Sequence, residues 1–142
     1  MRLPPAEVER ILETWPVARL AALAAGGEPW QVPIAFARVG GRLWSPVDGK
    51  PKRSAALVRL EHVRRDPRVS LLLDHWDADW SRLWWLRLDG RARVVSGADI
   101  DLDAIERALR AKYPQYATTA LFRGPPTLLE IEVTRATSWT GD

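Results

Sequence analysis

The 142-residue chain contains no cysteine, two histidines (His62 and His75) and one methionine. The missing thiols exclude disulfides, thiolate zinc sites and cysteine nucleophiles together. Two histidines are too few for a histidine-rich metal site. No run approaches the 18 or so consecutive apolar residues of a membrane-spanning helix, and no membrane partner is expected. The N-terminal Met1-Arg2-Leu3-Pro4-Pro5 lacks a charged-then-apolar signal region, so the expected location is the cytoplasm. Lysine is also scarce. Of 21 basic residues, 18 are arginine and three are lysine: Lys50, Lys52 and Lys112.

What is present belongs to a globular protein. Hydrophobic residues make up 46% and charged residues 27% of the chain, and its length suits a single domain over 1–142. The net charge of +3 is too mild to demand nucleic acid. A single-stranded nucleic-acid barrel using tryptophan stacking is disfavoured too, because the arginines are interleaved with 18 acids and form no run. Eight tryptophans are unusual, and Trp76, Trp80, Trp84 and Trp85 crowd one short stretch. A large apolar face with one N–H suits a core, an interface or a wall beside a flat ligand.

Periodicity orders the elements. Val8, Ile11, Leu12 and Trp15 predict a helix over 5–15, with Pro5 at its first position and Pro16 stopping it. Strands are expected over 17–25, 30–39 and 42–47, joined by Gly26-Gly27 and Gly40-Gly41. A second helix follows Ser54 as N-cap, carried by Ala56, Leu57, Leu60 and Val63. Strands at 69–76 and 83–95 come next, then a helix over 101–112 capped by Asp101, a loop over 114–126, and a closing strand at 128–139. In the 83–95 strand Trp84, Leu86, Leu88, Ala92 and Val94 share one face; Trp85, Arg87, Asp89, Arg91 and Arg93 share the other. Six mostly antiparallel strands with three short helices predict a mainly β protein that closes into a barrel, since closure removes exposed edges.

The segment Ser45-Pro46-Val47-Asp48-Gly49-Lys50-Pro51-Lys52-Arg53-Ser54 carries three cations to a helix N-terminus, which already holds partial positive charge. A bound phosphate offsets that placement; a solvated basic loop with Lys50 paired to Asp48 is the alternative. No Ser/His/Asp set or paired carboxylates stand out. Asp77 and Asp79 read as solvated loop acids more readily than as a general-acid pair, His62 as a surface histidine, and His75 as the better proton donor of the two.

Residues 16–95 resemble the pyridoxamine 5'-phosphate oxidase-like superfamily of flavin-binding split barrels, and within it the small branch of coenzyme F420-dependent proteins. The resemblance rests on Arg19-Leu20-Ala21, Gly27-Glu28-Pro29, Val32-Pro33-Ile34-Ala35-Phe36 and Val47-Asp48-Gly49-Lys50-Pro51-Lys52-Arg53. It continues through Leu57-Val58-Arg59-Leu60, Arg65-Asp66-Pro67-Arg68-Val69-Ser70-Leu71, Asp79-Trp80-Ser81 and Leu83-Trp84-Trp85-Leu86-Arg87-Leu88-Asp89-Gly90-Arg91-Ala92. It implies a six-stranded antiparallel split β-barrel that forms a homodimer with two cofactors, each in a groove between subunits. Lys50, Lys52, Arg53 and Arg59 would hold the cofactor phosphate. The backbone of the second strand near Val32–Ala35, at Val32, Pro33 and Ile34, would run beside the ring, with Trp80 and Trp84 in its wall or in the interface. Pro33 suits an edge strand or a bulge. The cofactor would be coenzyme F420 or FMN, performing hydride chemistry on a small-molecule substrate; storage of a flavin without turnover is the alternative. True pyridoxamine phosphate oxidases carry an arginine-containing C-terminal segment for the substrate phosphate. Here Thr137-Ser138-Trp139-Thr140-Gly141-Asp142 stands at the end, so vitamin B6 oxidation is not expected.

Overall fold

The computed structural model describes residues 1–47, 53–122 and 124–142, with 53–57 described as helical backbone. The elements are α1 (Pro5–Thr14), β1 (Ala18–Leu23), β2 (Pro29–Ile34), β3 (Ala37–Val39), β4 (Arg42–Pro46), α2 (Arg53–Arg65), β5 (Arg68–His75), β6 (Trp84–Ser96), α3 (Leu102–Lys112) and β7 (Thr127–Thr140). Short 3-10 turns occupy 80–82, 97–99 and 114–117. No helix among the described residues is long and apolar enough to cross a membrane.

The fold is a mainly β, antiparallel split barrel with three helices, but it has seven strands where the periodicity predicts six. The order is β2-β1-β5-β6-β7-β4-β3. The seventh strand arises because the expected 30–39 strand breaks at Ala35-Phe36, leaving β2 and β3 on opposite edges of the sheet. Only those two residues separate the edges, so the sheet must curl until the edges meet at that corner. Among the described residues no ladder joins these edges, so the sheet is not closed as the periodicity predicts; the chain only links its two edges at one corner.

The break is chemically satisfied. Ser45 Oγ donates to the Ala35 carbonyl at 2.7 Å, and the Phe36 N–H donates to Tyr113 Oη at 3.0 Å. Lys112 Nζ donates to the Phe36 carbonyl at 2.9 Å. Side chains thus replace the ladder partners that interrupted backbone would otherwise lack.

Two apolar clusters hold the curl. The first lies inside it, where α1 and α2 supply Ile11, Leu12, Leu60 and Val63 against Leu20, Leu71, Leu73, Leu86 and Leu88. Burying each such side chain contributes about 1.5–3 kcal/mol. The second sits on the outer face, where Ile105 and Leu109 of α3 cover Trp44, Val95 and Leu128. The β6–β7 pair is the spine, paired from Trp84↔Thr140 to Ser96↔Thr127 with a bulge at Asp89/Gly90 that leaves Thr134 without an opposite residue.

The glycine-pair turns are as expected: Gly27, Gly40 and Gly41 all take positive φ, at 86°, 63° and 75°. Asp101 caps α3 by accepting from the Ala104 N–H. Two local expectations fail. Helix α2 starts at Arg53, which puts Ser54 inside the first turn rather than at the N-cap. His62 is buried rather than superficial. Its ring meets the Trp30 indole edge-on at 5.1 Å, because α2 turns that residue toward β2 beside Val63.

Candidate functional site

Strand alternation puts Leu20, Leu71, Leu73, Leu86 and Leu88 inside the curl, so their neighbours in sequence face outward. The register then aligns those neighbours in rows across the outer face. One row is Pro33–Arg19–Leu72–Arg87–Thr137. On one side of it lies Asp74–Trp85–Trp139. On the other lies Gln31–Ala21–Ser70–Asp89–Arg135.

These rows floor an open groove of about 560 Å³, rimmed by His75, Trp76, Leu83 and Trp84. Leu72, Trp76 and Trp139 lie in it and are 37%, 73% and 39% exposed. They are three of the five exposed large apolar side chains among the described residues, a concentration that marks an interaction surface.

The polar groups of the groove are ordered by one another. Arg19 Nη1 donates to Asp74 Oδ1 at 2.8 Å, and Ser70 Oγ donates to Asp89 Oδ1 at 2.8 Å. Arg87 Nε lies 3.5 Å from Asp89 Oδ2. The groove therefore joins an aromatic floor to two arginines with donor capacity to spare.

Its open side is the edge strand β2. Ala24 N–H donates to the Glu28 carbonyl, which fixes the ladder phase: Trp30, Val32 and Ile34 exchange backbone bonds with β1. Pro29, Gln31 and Pro33 then direct their backbone outward. The two prolines have no N–H, so Gln31 offers the one donor on this edge among three carbonyls. That composition blunts the edge against another strand.

The expected site residues are distributed unevenly. Pro33 sits on the edge strand, exposed and opposite Arg19. Val32 and Ile34 turn their side chains into the core, so only their backbone lies at the sheet. Trp84 is at the groove rim, its ring edge-on to Trp15 at 4.7 Å and stacked with His75 at 6.4 Å. Trp80 is on the 80–82 turn, 69% exposed and outside the groove lining. Lys50 and Lys52 lie outside the described residues. Arg53 opens α2, and Arg59 lies half-buried further along it. Arg59 does not line the groove, and the Arg53 side chain lies outside the described residues.

Asp77 and Asp79 are loop-forming groups. Asp77 accepts from the Asp79 N–H at 2.9 Å and lies 3.3 Å from His75 Nε2. Asp79 accepts from the Ser81 N–H and hydroxyl. The Asp79 N–H, His75 and Arg82 hold the Asp77 carboxyl below its ordinary range. No group of three or more potential metal ligands occurs among the described residues.

The groove residues that sequence reasoning missed are Arg19, Gln31, Ser70, Leu72, Asp74 and Trp139. The 83–95 alternation already set Trp85 and Arg87 on a common face. Aligning that face with β1, β5 and β7 required the register.

The sequence model of pyridoxamine 5'-phosphate oxidase matches residues 4–140. The chain belongs to the pyridoxamine 5'-phosphate oxidase family. Among solved structures it is similar to a conserved hypothetical protein from Mycobacterium tuberculosis, with a TM-score of 0.78 and 21% identity, covering 98% of this chain and 86% of that one. It is also similar to an FAD-binding protein from Mesorhizobium loti, with a TM-score of 0.67 and 20% identity over 97% and 93% of the two chains. The heme storage protein of Vibrio cholerae shares the fold at a TM-score of 0.72 and 14% identity, over 99% and 95%. At these identities the likeness is one of fold. None of the curated protein sequences matches the chain.

Proposed function

We propose that the chain is a cytoplasmic oxidoreductase subunit, a single split-barrel domain over 1–142 that pairs with a second copy and binds a flavin or deazaflavin. Coenzyme F420 is the preferred cofactor and FMN its alternative. The observation that carries this reading is the outer-face groove of a family member, floored by Leu72, Trp85 and Trp139 and flanked by Arg19 and Arg87. A flat, apolar, aromatic floor with a few convergent polar groups is the composition a tricyclic ring requires. The groove is open on the side where a second copy would cover the exposed Leu72, Trp76 and Trp139.

When bound, the ring supplies the hydride chemistry. The protein contributes grip and charge. Trp85 and Trp139 would exclude water from one face of the ring, and Trp84 would hold the rim. Arg19 and Arg87 would stabilise negative charge at the ring's edge, each kept in place by its carboxylate, Asp74 or Asp89. Gln31, with the backbone of Val32, Pro33 and Ile34, would border the ring. Lys50, Lys52, Arg53 and Arg59 would receive the phosphate. The acceptor is a small organic molecule.

The test is the absorbance spectrum of purified protein, followed by titration with FMN, coenzyme F420 and hemin. Saturable binding of F420 or FMN with turnover on an acceptor panel supports the proposal. Saturable flavin binding without turnover would reduce the protein to a carrier. A Soret band with no flavin binding would overturn it.

A further inference from the structure

Lys112 is the one lysine of the chain that lies among the described residues, and nothing in the proposed groove uses it. It ends α3, and its ammonium is drawn inward. Nζ lies 2.9 Å from the Phe36 carbonyl and 3.5 Å from the Leu12 carbonyl, with the Phe36 ring centroid at 3.5 Å. Beside it is a cavity of about 260 Å³ between α1, β3 and α3, whose walls include Ala37, Ala108 and Ala111. These side chains are too short to fill the space around the amine.

We propose that Lys112 Nζ is an acylation site: a nucleophilic amine that takes a small acyl group from an acyl phosphate or thioester and houses it in the adjoining cavity. Three features combine there. The two carbonyls accept two N–H bonds of the amine, and Lys112 itself lines the cavity. Ala37, Ala108 and Ala111 leave room for a short acyl chain. Burial favours the neutral form and pushes Lys112 down to about 8 from an ordinary 10.5.

Among the described residues, Glu13 and Arg38 are the charged groups that line the cavity with Lys112. Glu13 of α1 opposes the shift by favouring the ammonium. Arg38 of β3 is held by Glu9 and by Glu13 at 2.8 Å. Tyr113, the C-cap of α3, is neutral, its hydroxyl pushed up by burial.

The chemistry balances without a redox partner. The amine lone pair attacks the acyl carbon, the C–N bond forms, and the bond to phosphate or thiolate breaks. The excess amine proton passes to solvent past the exposed Glu13. The amide product keeps one N–H for the Phe36 carbonyl and removes a desolvated charge from the corner that joins β2 to β3.

The test is site-resolved mass spectrometry of native protein treated with limiting acetyl phosphate, with an added short peptide carrying one exposed lysine as internal reference. At pH 7.5 the neutral fraction at Lys112 exceeds that of an ordinary lysine by roughly two orders of magnitude. With allowance for shielding and lower basicity, Lys112 is expected to label about tenfold faster than the reference lysine. Its rate should rise through a midpoint near pH 8. In Glu13→Gln the midpoint should move to lower pH, because the carboxylate that favours the ammonium is gone. Labelling of Lys112 no faster than the reference lysine, or only after unfolding, would overturn the assignment. So would an unmoved midpoint in Glu13→Gln.

Discussion

The Phe36 backbone nitrogen donates to the Tyr113 hydroxyl at 3.0 Å, across 77 residues of sequence. The hydroxyl in turn lies 2.9 Å from the Pro16 carbonyl. One phenol thereby ties the end of α1, the β2–β3 corner and the end of α3. Tyr113→Phe keeps the buried ring but leaves the Phe36 N–H unsatisfied, which costs about 1–3 kcal/mol. Urea denaturation should show a lower midpoint at an unchanged slope. An unchanged midpoint would mean that water or a shifted side chain replaces the hydroxyl.

Lys112 makes stability depend on alkaline pH. Its folded pKa of about 8 lies below the unfolded value of 10.5. Between those limits the unfolded chain binds more protons than the folded one, so stability rises as pH climbs from 8 to 10.5. Below pH 8 both states carry the proton and the folded state bears the desolvation cost. Denaturation midpoints measured across this window should rise in wild type relative to Lys112→Met. Parallel profiles for the two proteins would refute the assignment.

Gly90 stands where β6 passes the bulge of β7. A Cβ built there meets the Glu132 carbonyl oxygen at 2.1 Å, and backbone cannot yield as a side chain can. Gly90→Ala should destabilise the protein by about 1–3 kcal/mol or more, the cost of overpacking. A thermal melt matching wild type would show that the bulge relaxes freely.

Leu72 lies between Arg19 and Arg87 on the outer face and is exposed enough to tolerate a charge in the isolated chain. If this face pairs two copies, Leu72→Glu should shift sedimentation from dimer to monomer at micromolar concentration while circular dichroism stays unchanged. Wild-type protein sedimenting as a monomer would remove the dimer from the account.

Most of the fold was legible because strands and helices announce themselves by period. The residues that align as Arg19–Leu72–Arg87 were each visible as outward-facing, yet no local pattern tells which of them become neighbours. The β2–β3 break escaped for a different reason. Trp30, Val32, Ile34 and Phe36 keep their alternation through it, and the groups that stabilise the break, Ser45, Lys112 and Tyr113, are remote in sequence. His62 was misread because a histidine between arginines on a helix resembles a solvated face until Trp30 is placed against it. The Lys50–Arg53 cluster was conspicuous by composition, and its place relative to the groove lies outside the described residues.

Lys52 carries the proposed phosphate contact. Lys52→Ala should weaken cofactor binding roughly ten- to hundredfold, the equivalent of losing a charge-assisted hydrogen bond of about 1.5–3 kcal/mol. Inorganic phosphate should compete with the cofactor in wild type and lose that effect in the variant. Equal affinities in Lys50→Ala, Lys52→Ala and Arg53→Ala would place the phosphate elsewhere.

Trp85 separates the groove from every other position for the ring, because it lies in the floor beside Leu72 and pairs with Trp139 across β6 and β7. The decisive measurement is the dissociation constant of coenzyme F420, and of FMN, by fluorescence titration of wild type and Trp85→Leu. Both proteins must first be matched by circular dichroism and sedimentation. With the ring on this face, wild type binds one of the two saturably, and Trp85→Leu binds it about tenfold more weakly, a loss of about 1.4 kcal/mol. Equal affinity in the two proteins, or no binding of either cofactor to wild type, would contradict the groove as the cofactor site.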